Sequence, residues 1–127
     1  MTQEERELLF KDLCARIPYE VKVQVFNYGV ESVETLYQID LDGYISTVEG
    51  DELKYSYKPY LFPLSSMTEE QFNEKWKLEH SGDMEHLSIP ALDWLNKNHF
   101  DYRGLIGKGL AIDATGKNIY QYYGFEN

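Results

Sequence analysis

The spacing of apolar positions changes along the chain, and each change marks a new element. Over residues 3–16, Leu9 and Leu13 recur at i, i+4, with Phe10 and Cys14 beside them at the same spacing, which predicts a helix packing one stripe on a core. Thr2 and Glu5 have capping-box spacing in front of it, and Pro18 ends it by restricting Ile17. From Glu20 the period falls to two. Val21, Val23 and Val25 alternate with Lys22, Gln24 and Phe26 as a half-buried strand, and Asn27-Tyr28-Gly29 follows as a turn. Val33, Thr35, Tyr37, Ile39 and Leu41 alternate again, and Asp42-Gly43 is the dipeptide that a type I′ hairpin turn favours. Tyr44 to Val48 returns, Glu49-Gly50-Asp51 turns, and Leu53, Tyr55 and Tyr57 make a further strand that stops before Pro59.

The second half returns to helical spacing. Thr68 with Gln71 forms a second capping box, and Met67 and Phe72 occupy the staple positions around it. Phe72 and Trp76 share a face of this helix, which runs to about Glu79 and stops at Ser81-Gly82. Pro90, Leu92 and Leu95 predict a short third helix that leaves at Asn96 to Asn98. Gly104, Gly107, Gly109, Gly116 and Gly124 punctuate the remainder, where Ile119 to Tyr123 reads as a late strand. The fold class predicted is α+β: an N-terminal helix, an antiparallel meander of about four strands, at least two short helices and a glycine-rich C-terminal segment.

Composition narrows this picture. The 127 residues make one domain, 1–127, and 43% hydrophobic content with 11 Tyr, 6 Phe and 2 Trp supplies a core. A net charge of −10 opposes binding to phosphate backbones and anionic membranes, so neither direct nucleic-acid binding nor membrane association is expected. The polar start, Met1-Thr2-Gln3-Glu4-Glu5-Arg6, lacks the basic and apolar regions of a signal peptide, and the expected location is cytoplasmic. A single cysteine, Cys14, excludes an intramolecular disulfide, and its place on the apolar side of the first helix predicts an inert thiol.

Several segments carry candidate chemistry. Gln38 to Glu49 places Asp40, Asp42, Gly43 and Glu49 as in a calcium loop, but Gln38 replaces the first carboxylate and the flanks alternate like strands, which favours a hairpin. His80, Asp83, Glu85 and His86 are candidate metal ligands, with Ser81-Gly82 favouring a solvated loop instead. Gly107-Lys108-Gly109 and Thr115-Gly116-Lys117 fail as a phosphate loop, because Asn118 stands where the hydroxyl residue belongs. No nucleophile has a recognisable signature, and no cofactor is expected. Residues 31–52 hold seven acids and no Lys or Arg, which gives either a solvated sheet face or an acidic surface for a basic partner, Asp40, Asp42 and Glu49 included.

Leu9-Phe10-Lys11-Asp12-Leu13-Cys14-Ala15-Arg16-Ile17-Pro18-Tyr19, Lys58-Pro59-Tyr60-Leu61-Phe62-Pro63-Leu64-Ser65-Ser66-Met67-Thr68-Glu69-Glu70-Gln71 and Phe100-Asp101-Tyr102-Arg103-Gly104-Leu105-Ile106-Gly107-Lys108-Gly109-Leu110-Ala111 together resemble a family of short uncharacterised proteins of gut Bacteroidales, their phages and mobile elements. The resemblance implies an origin and no chemistry. Pro59 to Met67 reads as a rigid connector that seals the core, or as an aromatic docking strip through Tyr60 and Phe62. Arg103 is expected to pair with Asp101 across a turn, and it is also the base best suited to an interface. The function expected is a non-enzymatic interaction module for a protein partner. A small metal-dependent enzyme using His80 to His86 and an acidic nucleic-acid mimic are the alternatives.

Overall fold

A computed structural model describes residues 1–27, 29–54, 57–80 and 89–120. Helix α1 (Gln3–Arg16) is followed by strands β1 (Lys22–Asn27), β2 (Val30–Ile39), β3 (Tyr44–Thr47), β4 (Glu52–Lys54) and β5 (Tyr57–Pro63). Helices α2 (Glu69–Glu79) and α3 (Ile89–Lys97) precede two short strands, β6 (Phe100–Asp101) and β7 (Ile112–Asp113). The fold is α+β, and its sheet is mixed. Among the described residues the strand order is β4-β3-β2-β1-β5-β6, with β7 also pairing with β5. Neighbours from β4 through to β5 are antiparallel, whereas β6 and β7 run parallel to β5. No described helix is long and apolar enough to cross a membrane.

The capping box of α1 is formed in both directions: Thr2 N–H donates to Glu5 Oε1 (2.8 Å) and Glu5 N–H to Thr2 Oγ1 (3.1 Å). Its buried stripe is Leu9, Asp12, Leu13 and Arg16, which recur at i, i+3, i+4 and i+7. Cys14 is exposed, a correction to the expected stripe, because at 100° per residue it sits off the side that Leu9 and Leu13 bury. Arg16 closes on Asp12 through two bonds (2.7 and 3.1 Å) and reaches the Phe100 carbonyl (2.7 Å), tying the helix to β6. Leu9 and Leu13 pack on Val21, Val23, Val25, Leu36, Ile45 and Leu61. Gly109, at φ +74°, turns the chain so that Leu105 and Leu110 both join this core.

Three boundaries differ from expectation. The run Leu53 to Tyr57 is not one strand: β4 ends at Lys54, β5 begins at Tyr57 on the far side of β1, and Tyr55 lies outside the described residues. Pro59 sits inside β5 opposite Val23, whose backbone groups bond to β2, so the missing N–H interrupts no bond between β1 and β5. The Pro59 to Met67 connector is therefore largely a strand. The β2–β3 loop is not a type I′ turn, since Gly43 has φ +88° and Asp42 does not share the positive φ. Asp40 Oδ1 instead accepts from the amides of Asp42 (2.9 Å) and Tyr44 (3.1 Å), and Gly43 N–H closes on the Asp40 carbonyl (3.1 Å). Ile119 and Tyr120 lie in a turn, and the remainder of the expected late strand lies outside the described residues, as do Tyr28 and Ser81-Gly82.

Candidate interaction surface

Directly opposed residues of an antiparallel pair share a face. Val23 opposes Glu34 and Val25 opposes Ser32, so these four point to the core side, with Leu36 completing the row on β2. Gln24 opposes Val33 and Phe26 opposes Glu31 on the other side. There Val33, Thr35 and Tyr37 form a row along β2, with Phe26 diagonal to Val33. Phe26 is 55%, Val33 45% and Tyr37 64% exposed, whereas Thr35 is buried, bonded by Lys22 and Glu49. The apolar alternation of this strand thus faces outward rather than into the core. A register shift between Leu36 and Gln38 brings Ile39 opposite the buried Ile45, which returns the later part of β2 to the core side.

The same part of β2 has an open edge. Leu36 N–H donates to the Val21 carbonyl (3.0 Å), which fixes the phase of the β1–β2 ladder: even-numbered residues of β2 bond to β1 and odd-numbered ones point away. Strand β3 meets β2 only over Leu36 to Ile39. At Thr35 the partner is a turn, with Val48 N–H donating to the Thr35 carbonyl (2.9 Å) and the Glu49 carboxylate accepting from the Thr35 amide (2.8 Å). Beyond it, no described strand pairs with Glu31 and Val33 on their outward edge.

Acidic groups border this edge. Glu34 is buried and accepts from the hydroxyls of Thr47 (2.7 Å) and Ser32 (2.8 Å). Burial pushes its carboxyl up, but bonds from Thr47, Asp51 and Ser32 outweigh that and hold it below the usual value. Asp51 is raised, chiefly by its bond to Glu34, so Asp51 is the member of the pair that retains a proton longer. Thr47 Oγ1 also accepts from the Asp51 amide (3.0 Å), which locks the β3–β4 turn beside β2.

The structure scatters the other candidates read from sequence. Tyr60 is buried in β5, its phenol raised by burial, and Phe62 packs with Trp94 and Phe100, so neither forms an exposed strip. Asp40 closes the β2–β3 loop and Glu49 latches Thr35, while Asp42 is exposed beside that loop. Arg103 does not pair with Asp101. Its Nε lies 3.5 Å from Asp12 and its guanidinium lies over Tyr102, whereas Asp101 accepts from the amides of Leu105 and Ile106 (both 2.9 Å). His80 caps α2 with its ring stacked on Trp76 at 4.0 Å; Asp83, Glu85 and His86 lie outside the described residues. Among the described residues no three His, Cys, Asp or Glu side chains are grouped to hold a metal.

Two features escape sequence reading. Asp12 and Arg16 had the i, i+4 spacing of an ion pair, a signal that was present but masked by the apolar stripe. His99 had none. It is buried at φ +63° and stacks on Tyr120 at 3.7 Å in a cleft of about 380 Å³ that Phe62, Gln71, Asn98 and Thr115 also line. Burial, with Arg16 and Lys22 nearby, lowers its pKa to about 3, so the imidazole is neutral. Ser66, in the same cleft, donates to the Pro63 carbonyl (2.7 Å). The Tyr120 hydroxyl accepts from Lys22 N–H (2.8 Å) and donates to the Tyr60 carbonyl (2.7 Å), bridging β1 and β5. No protein-family model, curated protein or solved structure matches the chain.

Proposed function

We propose that the chain is a non-enzymatic protein-interaction module whose docking surface is the solvent-facing side of β1 and β2. The observation that carries this reading is the exposure of Phe26, Val33 and Tyr37 on the outward side of β1 and β2, with Tyr37 at the register shift of β2. Large apolar side chains aligned on one rigid surface give up little conformational freedom on binding, and aromatic residues anchor interfaces. Glu31, opposite Phe26, and Glu49, bonded to Thr35, border the row and favour a partner with basic groups around an apolar centre. Phe72 and Trp76 on α2 are also exposed, but Lys75 lies over the Phe72 ring and His80 stacks on Trp76, so those rings already have neighbours within the helix. The resemblance to proteins of gut Bacteroidales and their phages identifies the lysate in which a partner is sought.

The test is affinity capture from such a lysate with the wild-type chain, a Phe26→Ser/Tyr37→Ser variant and a Phe72→Ser/Trp76→Ser variant, each shown by circular dichroism to be folded. Under this reading one stoichiometric protein is retained by the wild type and by the α2 variant, and lost by the sheet variant. Capture that survives the sheet variant and disappears with the α2 variant contradicts it.

A further inference from the structure

Building on that reading, we propose that the outward edge of β2 at Glu31 and Val33 accepts a basic, extended peptide segment, which adds to the sheet as a further strand. The ladder phase carries the argument. Ser32 and Glu34 use their backbone groups on β1, opposite Val25 and Val23, so the N–H and C=O groups of Glu31 and Val33 project from the other edge. Strand β3 does not reach them, because its pairing with β2 ends at Leu36. At the next outward position, Thr35, the protein already completes the edge from outside the ladder: a glutamate carboxylate accepts from its amide at 2.8 Å. The arrangement shows what the edge binds when an acceptor is present, and it leaves the two positions beyond Thr35 for another chain. Unpaired edges of this kind are the docking element in strand addition, where backbone bonds give affinity and alternate side chains give selectivity.

Charge identifies the occupant. Glu31 stands on the edge and Glu49 and Asp51 lie in the turn at its end, and against these acids stands the cation Lys22, whose Nζ donates to Thr35 Oγ1 on the same face. A second copy of the chain adding across the same edge would bring these carboxylates against their own equivalents, which opposes pairing. An extended segment alternating lysine or arginine with β-branched residues fits better. On the outward face its basic side chains would meet Glu31 and Glu49, and its β-branched ones would fall on the opposite face, level with Ser32 and Glu34.

The probe is an end-blocked hexapeptide alternating lysine and valine, titrated into the ¹⁵N-labelled protein. Two further versions carry N-methyl groups on alternate amides, one in each phase. The expected result is that amide shifts concentrate at residues 31–35, and that one methylated phase binds about tenfold or more weakly while the other matches the parent. Val33→Pro, at a position whose N–H points off the edge, is expected to fold and to abolish the shifts. Glu31→Lys is a second variant that leaves the backbone untouched, and it is expected to weaken the lysine peptide. Equal binding by both methylated phases, or unchanged binding to folded Val33→Pro, overturns strand addition. That outcome leaves the sheet-face reading standing, because partner capture by Phe26 and Tyr37 is measured separately. Concentration-dependent dimerisation that quenches the peptide shifts would overturn the basic-peptide assignment in favour of a second copy.

Discussion

Asp12 and Arg16 show how one pair of residues fixes the position of a whole helix. Both are completely buried, and Arg16 reaches past its partner to the Phe100 carbonyl 84 positions along the chain. Removing the carboxylate strands a buried guanidinium, with Arg103 a second cation 3.5 Å from Asp12 Oδ1, so Asp12→Ala is expected to cost about 3–5 kcal/mol in denaturant unfolding. An Asp12→Leu/Arg16→Met double variant is expected to lose less than Asp12→Ala, since it leaves no buried charge unpaired at that position. His99 gives a pH signature at the same scale. Its folded pKa is about 3 against an unfolded value near 6.5, so between those values the unfolded chain binds more protons. The stabilisation is full above pH 6.5 and is lost as pH falls towards 3, on the order of a few kcal/mol at most. Thermal melts from pH 7 to pH 5 are expected to show falling stability, and His99→Asn, which tolerates the positive φ, is expected to flatten that slope.

At the scale of elements, local signals were legible where one residue type carries a strong backbone or capping preference. Thr2 and Thr68 start their helices with both capping bonds in place, and the limits of α1 follow from Thr2 and Pro18. Thr68→Ala is expected to lower stability by about 1 kcal/mol, read as a shift in the unfolding midpoint. Strand β2 shows why the remainder was hidden. Its sequence alternates cleanly, but period two does not say which phase faces the core, and that choice was made by the pairing of Val23 with Glu34. A buried glutamate in the core-facing phase is unreadable without Thr47 and Ser32, the hydroxyls that satisfy it. Pro59 misled for a related reason, because its cost depends on which edge of β5 it faces. The site followed the same pattern: Glu49 stood out as an acid, but its bond to Thr35 depends on a turn that only the folded β3–β4 ribbon provides. Ser32→Pro, which removes a bond to β1, is expected to destabilise the protein far more than Val33→Pro, a contrast that equilibrium unfolding of the two variants measures.

Over the whole molecule, charge and topology act on the same region. Seven acids and no Lys or Arg fall in residues 31–52, beside the face and edge that the described residues leave uncovered. Association with a basic partner is expected to slow and weaken as salt is raised from about 0.05 to 0.5 M, with the apolar row preserving a residual affinity. The central claim is that this half of β2 is structured on one side and open on the other. Amide hydrogen exchange of the free protein, resolved by residue in NMR, tests it without a partner in hand. Slow exchange at Ser32 and Glu34 beside fast exchange at Glu31 and Val33 is the expected pattern. Protection at Glu31 and Val33 equal to that of Ser32 and Glu34 would contradict the account, because the edge would then already be occupied.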